Sequence, residues 1–144
     1  MRRSSRYSNE NELLGMVSRL LERELCAVSD YLYFSAVCEK DYPELSEAFD
    51  GFGRERASNI KSIEKVLSEP KLNYVKNFRI KTSALTSDNI CYIIKELIDR
   101  ENEDVILYER LYLIDKEDRF EALIKEILRA SKKRLSILEN ILKT

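Results

Sequence analysis

Polar and apolar positions follow a helical period along most of this 144-residue chain. Leu13, Val17, Leu20, Ala27, Tyr31 and Cys38 recur at helical spacing, which predicts a first helix starting after Ser8 or Asn9 as N-cap and running to about Lys40. Asp41-Tyr42-Pro43 interrupts it, and Pro43, with its preset φ, suits the first turn of a second helix. That helix is predicted on Leu45, Phe49, Phe52, Ile63 and Val66, to about Ser68, with Pro70 ending it. Between residues 71 and 85 the period is lost, and the stretch reads as a long connection with a short extended piece at Tyr74 to Ile80. A third helix is expected from near Thr86 or Ser87 to about Leu113, carried by Ile90, Ile94, Leu97, Val105, Tyr108 and Leu111. Asp115 then caps a fourth, built on Phe120, Leu123, Ile127, Leu138 and Ile141.

Two short connections around one long one predict an all-α, antiparallel four-helix bundle with a long crossover between the second and third helices. The crossover is long enough: a helix of about 26 residues spans roughly 39 Å, and about 15 extended residues reach roughly 50 Å. Internal similarity supports the same picture. Leu20-Leu21-Glu22-Arg23-Glu24 matches Leu97-Ile98-Asp99-Arg100-Glu101, and each block is followed by a tyrosine seven residues past its last Glu, Tyr31 and Tyr108. Ile63-Glu64-Lys65-Val66-Leu67 likewise matches Leu138-Glu139-Asn140-Ile141-Leu142. The chain reads as one helical hairpin duplicated.

Composition agrees with a single folded domain over residues 9–144. Hydrophobic residues are 44% and charged residues 35%, enough to bury a core and solvate the outer faces, while three Gly and two Pro are too few for an all-β fold. Lys plus Arg (25) nearly cancels Asp plus Glu (26), so no global field draws nucleic acid or an anionic membrane. Residues 1–8, with Arg2, Arg3 and Arg6, read as a disordered basic tail, with weak nucleic-acid contact by those arginines as the alternative. The tail lacks the apolar region of a secretory signal, and no apolar run suits a membrane span, so a cytoplasmic location is expected. Cys26, Cys38 and Cys91 form no metal-binding pair and read as small core residues. The absence of His, Trp and Gln beside abundant Glu, Lys, Ile and Arg is a thermophile-like bias.

The informative residues are the polar ones on the apolar stripes, because a charge buried there must be paired or ligated. Glu24 lies on the first stripe, Arg56 and Asn59 on the second, Glu101 on the third, and Ser131 and Arg134 on the fourth. All fall near mid-helix, and the bundle is expected to bring them into one layer, two carboxylates against two guanidinium groups. Glu103, Asp104, Glu117 and Asp118 read as solvated faces or caps.

At this point the chain resembles the ferritin-like superfamily, in its small rubrerythrin-type form, from Leu13 to Leu142. Those bundles place a Glu on the first and third helices and Glu-x-x-His on the second and fourth, together holding two iron or manganese ions. Glu24 with Tyr31, and Glu101 with Tyr108, match the first and third helices. On the second helix Phe49 matches the family's aromatic, seven residues before the ligand, so Arg56 and Asn59 stand at the Glu and His positions. On the fourth, Ser131 and Arg134 do so. The resemblance therefore implies a ferritin-like fold that has lost its di-iron site and its catalysis. Arg/Glu pairs replace the metals, no catalytic residue and no cofactor are expected, and the chain acts as a structural or interaction module, as a homodimer. The alternative is a divergent metal-binding oxidoreductase holding iron or manganese through carboxylates alone, at Glu24, Glu55 and Glu101, with Ser58 in the histidine position. Leu32, Phe34 and Leu107 are candidates for exposed apolar residues on faces suited to dimerisation, with packing under the crossover as the alternative.

Overall fold

The computed structural model describes residues 2–67 and 89–143, with side chains from Asn9 onward. Its four helices are α1 (Arg2–Cys38), α2 (Pro43–Leu67), α3 (Ile90–Ile114) and α4 (Glu121–Lys143), with no strand among the described residues. None of these helices is long and apolar enough to cross a membrane. The crossover expected at residues 71–85, with its extended piece, lies outside the described residues. So do the side chains of Arg2, Arg3 and Arg6.

The helix limits follow local chemistry. α1 continues through residues 2–8, where the sequence suggests a disordered tail. That segment has no proline or glycine to stop a helix, and arginine is a good helix former. A turn at residues 39–41 separates α1 from α2, and the Tyr42 carbonyl accepts the Ser46 amide at 2.9 Å just ahead of Pro43. Asn89, rather than Thr86 or Ser87, caps α3, its side-chain oxygen accepting the Tyr92 amide at 3.3 Å.

Asp115 ends α3 through its own amide and also prepares α4. Its carboxylate accepts the amides of Arg119 at 3.1 Å and Phe120 at 2.7 Å. It is therefore not the residue flanking α4, as the sequence suggests. Asp118 at φ 53 turns the chain through the left-handed region, which a helix cannot follow, so α4 starts only at Glu121.

The chain divides into two compact units, Leu21–Ala84, and Met1–Leu20 with Leu85–Thr144. In the first, Tyr31 and Phe34 of α1 meet Phe49 and Phe52 of α2. Ring centroids lie 5.5 Å apart for Tyr31–Phe52 and 6.1 Å for Tyr31–Phe49. Gly53 admits this close approach: a Cβ there would lie 3.2 Å from Leu32 Cδ2. Two serines tie the helices together nearby, Ser35 donating to the Ser46 carbonyl at 2.7 Å and Ser46 to the Ser35 carbonyl at 2.6 Å.

In the second unit the start of α1 supplies Leu13, Leu14, Val17 and Leu20. The core of α3 and α4 includes Ile94, Leu97, Tyr108, Leu111, Phe120, Ile124, Ile127 and Leu138.

Burial is decided or changed at five positions. Phe34 and Leu107 are buried, and of the three supposed outer residues only Leu32 is exposed. Phe34 continues the three-four spacing of Leu20, Glu24, Ala27, Tyr31 and Cys38. Asp104 is buried rather than solvated, because the same spacing from Glu101 to Tyr108 lands on it and leaves Val105 at the edge. Cys38 is core, but Cys26 is half-buried and Cys91 exposed, the last lying off the Ile93–Ile94–Leu97 face.

Candidate functional site

Each unit contains one buried carboxylate–guanidinium pair, and all four side chains are at most 2% exposed. Heptad spacing puts them there. On α4 and just before it the run Phe120, Ile124, Ile127, Ser131, Arg134, Leu138 steps by four and three residues, so Ser131 and Arg134 share the core face with four apolar neighbours. Leu135 is only half-buried, which leaves Arg134 pointing inward. On α2 the run Leu45, Phe49, Phe52, Arg56, Ile63 does the same for Arg56.

On the α3–α4 hairpin, Arg134 Nε donates to Glu101 Oε1 at 3.0 Å and its Nη2 to Glu101 Oε2 at 3.2 Å. The same Nη2 donates to Ser131 Oγ at 2.9 Å. The carboxylate is thus held by a planar two-pronged fork whose charge cannot be lost at any accessible pH.

On the α1–α2 hairpin, Arg56 Nε lies 3.0 Å from Glu24 Oε2. The Nε–H is not aligned for a hydrogen bond there, so that contact is chiefly Coulombic. The Asn59 amide reaches both Glu24 oxygens at 3.4 and 3.5 Å, long contacts that add orientation more than energy.

The two pairs are not copies by position. In the repeat, Arg56 corresponds to Ser131 and Asn59 to Arg134, 75 residues further on in each case. Each hairpin therefore has one arginine and one small polar residue on its second helix, in opposite order. The step between them is three residues, about one helical turn, and a long guanidinium side chain can reach its glutamate from either level. Charge pairing is retained where position is not.

The carboxylate-only alternative fares differently. Glu55 and Ser58 are exposed while Arg56 is buried, so α2 does not present Glu55 to the face that carries the core. Among the described residues no three His, Cys, Asp or Glu side chains converge closely enough to hold a metal ion. A di-metal centre does not fit the residues present. Its imidazole donors are missing, and a guanidinium nitrogen already stands 3.0 Å from an oxygen of Glu24 and of Glu101. Tyr31 and Tyr108 are core residues, each 1% exposed.

Two buried acids escape the sequence reading, Asp30 and Asp104. Asp104 was legible from strict heptad counting. Asp30 lies one position off the α1 stripe, and nothing in the spacing marks it. A cleft of about 510 Å³ in the second unit is lined by Asn9, Glu10, Leu13, Asp115, Lys116, Glu117 and Arg119. Its charges are mixed in sign, and the carboxylate of its buried Asp115 is taken up by backbone amides.

No protein-family model, no curated protein and no solved structure matches the chain.

Proposed function

We propose that the chain is a ferritin-like bundle whose metal site has been converted into two internal ion pairs, and that it serves as a structural or interaction module rather than a ferroxidase or peroxidase. The observation that carries this reading is the fork of Arg134 on Glu101, at 3.0 and 3.2 Å in a buried setting. A carboxylate held in that way has its charge balanced and its lone pairs engaged, so a divalent cation would have to displace a guanidinium of like charge. Arg56 beside Glu24 supports the same reading on the other hairpin. On this account Arg56 stands at a former glutamate position and Arg134 at a former histidine position.

Buried pairs of this kind add little over an apolar core, but they penalise every register that leaves a charge alone. Their role in the proposed module is to hold each hairpin in one alignment, and the module itself acts through its outer surface, as a homodimer.

The test is elemental analysis of the purified chain together with thermal melting in Fe(II) or Mn(II). Sub-stoichiometric metal and an unchanged melting temperature are expected, because a ligand that binds the folded state must raise it. Two metal ions per chain, or a saturable rise in melting temperature, would overturn the proposal.

A further inference from the structure

Away from its core stripe, α3 carries a second row at seven-residue intervals: Tyr92, Asp99, Ile106 and Leu113. Tyr92 is 51% exposed, Ile106 53% and Leu113 73%. Two large aliphatic side chains thus stand in water along one line of a single helix. Glu103 and Arg110 flank Ile106 on one side of that line, and Asn102 and Glu109 on the other, all of them exposed. Arg110 makes no hydrogen bond or ion pair among the described residues.

We propose that this row is the contact surface for a second copy of the chain, with α3 packed antiparallel on α3 about a twofold axis at Ile106. In an antiparallel helix pair related by a twofold axis, each flank meets its own counterpart. Ile106 then meets Ile106 at the axis, and Glu103 of each copy faces Arg110 of the other, twice over. Asn102 faces Glu109 on the opposite flank, again twice.

The apolar match at Ile106 and the charges beside it together favour this register. Sliding the copies by one heptad one way gains Glu96–Arg110 and Lys95–Glu109 pairs but sets Ile106 against Asp99 and Glu103 against Glu103, and sliding the other way sets Arg110 against Arg110, so the central alignment is the one that joins Ile106 to Ile106 with opposite charges beside it.

The row is short, and Leu113 faces Asp99 rather than another apolar residue. It cannot reach the roughly 1,200–2,000 Å² of a stable interface, so the association is weak and concentration-dependent. This inference rests on the interaction-module reading above. The two fail separately: metal content decides one, and association state the other.

Sedimentation velocity of the full chain over a wide concentration range tests it. The native chain is expected to show a reversible monomer–dimer equilibrium, and Ile106→Asp to stay monomeric. Arg110→Glu and Glu103→Arg each weaken association about tenfold or more, while the double swap Glu103→Arg/Arg110→Glu recovers most of it. All three positions are exposed, and circular dichroism checks that each variant is folded. In a Cys91→Ser background, Ile106→Cys is expected to form a disulfide-linked dimer on mild oxidation. A native chain that stays monomeric at every concentration would overturn the proposal, as would a double swap no tighter than the single substitutions, or a dimer that survives Ile106→Asp.

Discussion

Arg134 holds Glu101 with two nitrogens at once, Nε at 3.0 Å and Nη2 at 3.2 Å, and the two side chains are 1% and 2% exposed. Removing either partner strands the other as an uncompensated buried charge. Arg134→Ala or Glu101→Ala is therefore expected to lower the unfolding free energy by about 3–5 kcal/mol. Replacing both together, Glu101→Leu with Arg134→Met, costs far less and can raise stability, because the desolvation penalty disappears with the charges. Urea denaturation of the two single variants and the double variant checks this. A double variant as unstable as the singles would mean that the pair contributes net stability.

The α3–α4 junction depends on Asp115, whose carboxylate satisfies the Arg119 and Phe120 amides ahead of α4. Asp115→Ala leaves those donors without their partner in a residue that is 3% exposed. It is expected to destabilise by about 1–2 kcal/mol, the range for loss of a helix cap. Asp115→Asn, which keeps one acceptor oxygen, falls between the two. Thermal melts of both variants give the order, and equal stability of Asp115→Ala and the native chain would exclude a capping role.

Two glycines lie within helices where an added methyl group meets nothing within 4 Å, Gly15 in α1 and Gly51 in α2. Alanine at either position removes backbone freedom from the unfolded chain and restores helix propensity, a gain of about 0.5–1 kcal/mol each. Gly53→Ala is expected to give less or to lose stability, since its Cβ would lie 3.2 Å from Leu32 Cδ2. Melting temperatures of the three single variants decide it: Gly15→Ala and Gly51→Ala rise, and Gly53→Ala does not.

Burial raises the Cys38 thiol pKa above its ordinary 9.0, so the folded state favours the neutral thiol. That preference stabilises the fold in full below the unfolded thiol's pKa. It is lost as pH climbs from there through the raised folded value, because the unfolded chain ionises first. Alkaline destabilisation is thus expected to be shallower in Cys38→Ala than in the native chain. At neutral pH a thiol reagent is expected to label exposed Cys91 well before Cys38. Equal labelling rates would contradict both the burial and the shift.

The helices, and the polar residues within their core stripes, were determined by the sequence alone. Three-four spacing of apolar residues commits Glu24, Arg56, Glu101, Ser131 and Arg134 to the buried face whatever packs against it, because turning one of them outward would expose the leucines and phenylalanines above and below it. That the buried glutamates would meet arginines was foreseeable too, since a buried charge needs a partner, but the spacing did not say which arginine meets which glutamate. Tertiary structure decided what spacing leaves open. The backbone path at Asp118 set where α4 begins, and only the packed hairpins made Arg134 a two-pronged partner while the Arg56 Nε–H stayed off line. Asp30 lies one position off the α1 stripe, and there burial depends on the width of the neighbouring surface. A single helix's periodicity carries no information about that width, so only packing could assign Asp30 to the core, whereas Phe34 and Asp104 sit at three-four spacing and were legible in the sequence.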